Sequence, residues 1–156
     1  MGPELRERLA GVLLGTALGD ALGLPTEGMS PNEIRRRFGR VERFHMLGRT
    51  GYVSDDTEQS ALVAQSLLRT CGRVEGLAGA FGTSLLGWFL RLPWGVGLGT
   101  VRACVKLALR WRPSGVFTAG NGSAMRAAVV GVFFRDRPEA RLECGRELSE
   151  VSHRDP

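Results

Sequence analysis

Gly11, Gly15, Gly19 and Gly23 recur at every fourth position of an otherwise helical pattern, and no other feature of the 156-residue chain restricts its fold as much. The pattern runs from about Pro3 to Leu24: Leu5, Leu9, Val12, Leu13 and Thr16 fall on helical spacing, and Pro25 stops it. The glycines leave a bare stripe down one face, at a propensity cost of ~1 kcal/mol each relative to alanine. Such a cost is expected only where another backbone packs closely or where a site is built. Asp20 lies inside the same stripe, where a buried carboxylate needs a hydrogen-bond partner or a cation.

The rest of the chain is also patterned for helices. Ser30-Pro31-Asn32-Glu33 is a capping box that opens a short helix over Pro31 to Phe38. Thr57 to Arg69 places Ala61, Leu62, Ala64, Leu67 and Leu68 on one side and stops at Cys71-Gly72, with glycine as the cap. Further helices are predicted over Val74 to Leu90, Thr100 to Trp111, Ser123 to Phe134 and Pro138 to Ser152. No alternating run of strand length occurs, so the expected class is all-α, with glycine-rich loops at Gly95 to Gly99 and Ser114 to Gly122.

With 43% hydrophobic and 24% charged residues the chain is neither disordered nor too small to bury a core. Leu77 to Leu90 is uncharged but too short to span a bilayer, and the apolar run that resumes up to Val101 is broken by Arg91 and Pro93. A buried helix followed by a loop is expected there, no other stretch reads as a span, and no membrane partner is expected. Three cysteines, Cys71, Cys104 and Cys144, make neither a disulfide framework nor a thiolate zinc site, and the N-terminus does not read as a secretory signal. A cytoplasmic location is the expectation. The net charge of +5 rests almost wholly on arginine, with Arg35-Arg36-Arg37 beside Arg40 and Arg43, and Glu33 and Glu42 interleaved. The cluster reads as a solvated helix face and not as a nucleic-acid patch.

Three constellations can carry chemistry. Ser54-Asp55-Asp56-Thr57-Glu58 at a helix start reads either as an N-cap or as a hard-cation site, whose two carboxylates and hydroxyl suit Mg²⁺ or Mn²⁺ rather than zinc. Gly120-Asn121-Gly122-Ser123-Ala124-Met125-Arg126 reads either as a tight turn with Ser123 as N-cap, or as a loop presenting backbone N–H groups to a phosphate. Glu27 stands in the loop after Pro25, where a carboxylate is ordinarily solvated. His45 and His153 have no ligand-like partners nearby in sequence.

In order and spacing, Gly15-Thr16-Ala17-Leu18-Gly19-Asp20-Ala21-Leu22-Gly23, Glu27, Ser54-Asp55-Asp56-Thr57-Glu58-Gln59 and Gly120 to Arg126 together resemble the ADP-ribosylglycohydrolase family. Gly97-Leu98-Gly99-Thr100 and Ser152-His153-Arg154-Asp155-Pro156 resemble two further family segments. The resemblance implies an all-α fold with a pair of metal ions, Mg²⁺ or Mn²⁺, in a cleft that binds ADP-ribose. It implies that Ser54, Asp55 and Asp56 are metal ligands and that Glu27 or Asp56 is catalytic. Gly120, Asn121, Gly122, Ser123, Met125 and His153 then bind substrate, and Asp20 supports the cleft. The implied partner is an ADP-ribosylated protein side chain or a small ADP-ribose adduct. The implied domain is roughly twice this length, and its other metal ligands come from a Gly-Asp-x-Asp-Thr segment that no run here resembles. Residues 1–156 are therefore expected to form the N-terminal portion of a single domain. Either the sequence is a fragment, or a second chain or copy completes the fold, or the product is an inactive remnant. A non-catalytic, partner-dependent ADP-ribose-binding fragment is the alternative function.

Overall fold

A computed structural model describes residues 2–46, 48–93 and 95–154; Asp155 and Pro156 of the His153 segment, and Met1, lie outside them. Among the described residues seven α-helices follow in order: α1 (Pro3–Gly23), α2 (Pro31–Phe38), α3 (Asp55–Arg69), α4 (Leu77–Phe89), α5 (Leu98–Ala108), α6 (Ala127–Phe133) and α7 (Pro138–Glu150), with a 3₁₀ turn (Leu24–Thr26) after α1. No strand forms among the described residues, where two isolated bridges join Met46 to Thr50 and Val116 to His153. The all-α expectation is met.

The core is built around α4, whose Leu77, Phe81, Leu85 and Trp88 recur every three or four residues and are all buried. The charge-free stretch is thus a core helix. It packs on α3, α5 and α7, so that Val63, Leu67, Cys104, Cys144 and Leu148 close around it, while α6 brings Val129 and Val130 against α1, α3 and α7. The short α2 has the expected capping box, with Ser30 Oγ accepting from Glu33 N–H and Ser30 N–H donating to the Glu33 carboxylate at 2.7 Å. It has no extensive packing partner among the helices.

Two expectations about α1 need correction. Leu9, Val12 and Leu13 pack on the core, but an added Cβ at Gly11, Gly15, Gly19 or Gly23 would meet nothing within 4 Å. The glycine stripe faces open space here, beside exposed Leu14 and Leu18, and no described backbone approaches it. Pro3–Thr26 is also long and apolar enough to cross a membrane, contrary to the reading that only the stretch around α4 needed that test. Its leucines, Val12 and its alanines carry that apolar character. Its Asp20 is engaged by α3, and the helix docks on α3 and α6.

Helix ends shift where side chains override local pattern. The cap after α3 is a Schellman turn, with Gly72 N–H donating to Leu67 O at 2.8 Å, and Cys71 rather than glycine takes the first left-handed position at φ 52°. The Ser123 cap does not form: α6 begins at Ala127, after a turn in which Ala124 and Met125 N–H both donate to Asn121 O.

Candidate active site

Asp20 on α1 is what fixes the start of α3. Its carboxylate accepts from Ser54 N–H and Ser54 Oγ, each at 2.8 Å, and from Thr57 N–H at 3.2 Å and the Thr57 hydroxyl. A negative charge beside the first N–H groups of a helix satisfies orphan donors and complements the helix dipole. Ser54 adds its own cap, accepting from Asp56 N–H at 3.3 Å. Of the two readings of this segment, the cap is present in full.

Asp55 and Asp56 are thereby held in the first turn of α3, half-buried, with their side chains on a cleft of ≈ 540 Å³. Glu27, Gly120, Asn121, Gly122 and His153 line the same cleft, joined by Gly95, Gly97, Gly99, Thr100 and Thr118. Five positions from four separate motifs, Glu27, Asp55, Asp56, Asn121 and His153, therefore share one cavity. Ser54, Ser123 and Met125 do not line it. Ser54 is buried with its hydroxyl proton committed to Asp20, and Ser123 and Met125 belong to the turn behind the loop. His45 sits apart, edge-on to Phe38 at 4.8 Å.

The cleft is electrostatically strained by its own carboxylates. Burial, then Asp56 and Glu27, push Asp55 up to about 6. Burial and Asp20 raise Asp56, and burial with Asp56 and Asp20 raises Glu27. Such a set of hard oxygens favours a bound cation. Yet no three His, Cys, Asp or Glu among the described residues converge closely enough to hold one alone. The donor set fits one side of a divalent-ion site and no more: Asp55 and Asp56 are available, and Ser54 is engaged elsewhere.

The opposite wall is the glycine loop. Among the described residues no intrachain bond occupies the N–H groups of Asn121, Gly122 or Ser123, as a loop offering donors to an anion requires. His153 stands behind it, held by the bridge in which Val116 N–H donates to Ser152 O at 3.2 Å and Arg154 N–H to Val116 O at 2.9 Å. The ring lies so close that a Cβ on Gly122 would come within 2.5 Å of His153 Cε1, whereas one on Gly120 would stay 3.6 Å from Nε2. Gly122→Ala is expected to cost about 1–3 kcal/mol by overpacking a buried ring, and Gly120→Ala close to nothing. Urea unfolding of the two variants would show it; equal midpoints would refute the contact.

Gln59 and Arg126, inside the quoted motifs but given no role, tie the two walls together. Gln59 Nε2 donates to Asp55 Oδ2 at 3.2 Å, and Gln59 Oε1 accepts from Arg126 at 2.8 Å. The signal available in sequence was Gln59 one helical turn after Asp55; nothing local marked Arg126 as buried. Glu58 is drawn away, accepting from Trp88 Nε1 at 2.6 Å.

The fold and cleft define an all-helical domain with an acidic wall facing a glycine loop. Sequence comparison gives that class its family. The profile of the ADP-ribosylglycohydrolase family matches residues 1–156, and the chain belongs to that family. It is 35% identical over 137 residues to an uncharacterized protein of Archaeoglobus fulgidus, covering 83% of this chain and 44% of that protein. It is 31% identical over 137 residues to the ADP-ribosyl-[dinitrogen reductase] glycohydrolase of Rhodospirillum rubrum, covering 80% of this chain and 44% of that enzyme. It is 29% identical to the uncharacterized protein YegU of Escherichia coli over 142 residues, covering 41% of it. The chain spans less than half the length of these relatives.

Proposed function

We propose that this chain supplies one wall of an ADP-ribosylglycohydrolase active site that hydrolyses the glycosidic bond of ADP-ribosylated protein side chains or small ADP-ribose adducts. The observation that carries the reading is the convergence of Glu27, Asp55 and Asp56 opposite the Gly120–Gly122 loop and His153 in one cleft. The loop N–H groups suit the pyrophosphate, and the acidic wall suits the ribose whose anomeric bond breaks. Cleavage adds water to the anomeric carbon while the leaving group departs with a proton. A carboxylate of raised pKa, Glu27 or Asp56, takes the proton from that water. Asp55 and Asp56 would hold Mg²⁺ or Mn²⁺, which when bound lowers the pKa of water and fixes ribose hydroxyls. The remaining ligands are assigned to a polypeptide corresponding to the part of the relatives this chain does not span, either continuous with it or separate. The bare face of α1, with its glycine stripe and exposed Leu14 and Leu18, is assigned as its docking surface.

A second reading is a partner-dependent ADP-ribose-binding module without turnover. Calorimetric titration with ADP-ribose, with and without Mg²⁺ or Mn²⁺, alongside mass in solution, tests both. Metal-dependent binding that Asp55→Ala and Asp56→Ala abolish supports the first reading, and hydrolase activity completes it. Binding that turnover never follows selects the second. A folded chain that binds no ADP-ribose under any of these conditions overturns both for this polypeptide.

A further inference from the structure

Arg126 is 2% exposed, and no carboxylate is hydrogen-bonded to it. Burial lowers its pKa to about 10, so it stays charged at neutral pH. Its guanidinium lies 4.7 Å from the Phe81 ring centroid and donates to Gln59 Oε1, Gly122 O, Leu148 O at 2.9 Å and Ser152 Oγ at 2.6 Å. Four acceptors from three separate parts of the chain thus converge on one buried cation. The last of them continues: Ser152 Oγ lies 2.8 Å from His153 Nδ1.

Hydrogen counting fixes the direction of that contact. Arginine only donates, so Ser152 Oγ must accept from it. Ser152 is fully buried, and His153 Nδ1 is the only other partner of its hydroxyl among the described residues. If Nδ1 carried the proton, the serine oxygen would accept twice and its own hydrogen would be buried unpaired, at about 1–3 kcal/mol. The arrangement that pairs the serine hydrogen runs from arginine to serine to an unprotonated Nδ1, while the Arg126 Nε–H finds no partner among the described residues. The neutral ring then carries its proton on Nε2, the nitrogen toward Gly120 and Gly122 at the cleft. Burial first and the Arg126 charge second also lower the His153 pKa, which keeps the ring neutral.

We propose that Arg126 is a positioning residue that, through Ser152, locks His153 as the Nε2–H tautomer and so presents a hydrogen-bond donor, not an acceptor or a base, to the ligand. The ligand group this selects is an oxygen acceptor, such as a phosphate oxygen or ribose hydroxyl of ADP-ribose, a choice that rests on the function proposed above. The same guanidinium holds Gly122 O, so one buried group sets both the loop and the histidine facing it.

The chain contains two histidines, which makes an imidazole ¹⁵N spectrum of the labelled full chain easy to assign, with His45 as internal control. Above the titration range of His153 and without metal or nucleotide, the expected result is a single Nε2–H pattern. Ser152→Ala is expected to shift the Nδ1 resonance and admit the second tautomer, Ser152→Thr to restore the parent pattern, and His45 to stay unmoved in both. Arg126→Lys, if folded by circular dichroism, is expected to loosen the pattern as Ser152→Ala does. A protonated Nδ1 in the parent chain, or a pattern indifferent to Ser152→Ala, overturns the relay. The nucleotide plays no part in this readout, so failure to bind ADP-ribose would overturn the functional reading and leave the relay standing.

Discussion

Asp20→Ala is expected to lower the unfolding free energy by about 3 kcal/mol, through the lost cap and lost charge-assisted hydrogen bonds. The side chain accepts from two backbone N–H groups and two hydroxyls at the start of α3, all of which lose their partner together. The loss corresponds to a fall in Tm of about 6–12 °C for a chain of this size. Asp20→Asn retains one acceptor oxygen for Ser54 N–H and should recover part of the loss. Because Asp55 and Asp56 follow the cap immediately, Asp20→Ala should also weaken any divalent-cation stabilisation, although Asp20 does not line the cleft. Thermal unfolding in chelator and in Mg²⁺ separates the two effects. An unchanged Tm in chelator would show that Ser54 alone caps α3.

That network also shows where local reading ends. The helix start at Ser54-Asp55-Asp56 was legible because capping chemistry and first-turn acidity act within a few residues. Which function the serine hydroxyl serves was not, since Asp20 lies 34 residues away. The Gly120 loop is recognisable from its glycines, but local pattern starts the helix after it at Ser123, a favoured cap type. The actual start at Ala127 follows from Arg126 turning inward to Gln59, Leu148 and Ser152, which are 67, 22 and 26 residues distant. Periodicity likewise exposed the α1 glycines, whereas only the packing shows that no described part of the chain fills the stripe. Motifs ordered along the chain located the cleft, and long-range hydrogen bonds decided which of their members face it.

The acidic wall yields a prediction whose sign reverses with the cation. Asp55 has its pKa pushed up from 3.8 to about 6, so ionising it costs more in the folded chain than in the unfolded one. A raised folded-state pKa contributes stability that is complete below the unfolded value and disappears as pH rises through about 6. In chelator, Asp55→Asn should therefore match the parent below about pH 4 and exceed it at pH 7 by about 1–2 kcal/mol, after allowance for solvent screening of a half-exposed group. The amide keeps an acceptor for Gln59 Nε2, so packing changes little. Saturating Mn²⁺ or Mg²⁺ should invert the order at pH 7, because the ionised carboxylate then has a counter-charge and the amide does not. Taking the difference between parent and variant across pH removes the titration of His153, which the two chains share, and leaves that of Asp55 together with its coupling to Asp56 and Glu27. A difference that is flat with pH in chelator would mean that Asp55 is not raised in the folded state. A pH-dependent difference that divalent ions leave untouched would mean that two aspartates and Glu27, without the ligands assigned to the part of the relatives this chain does not span, do not retain the ion.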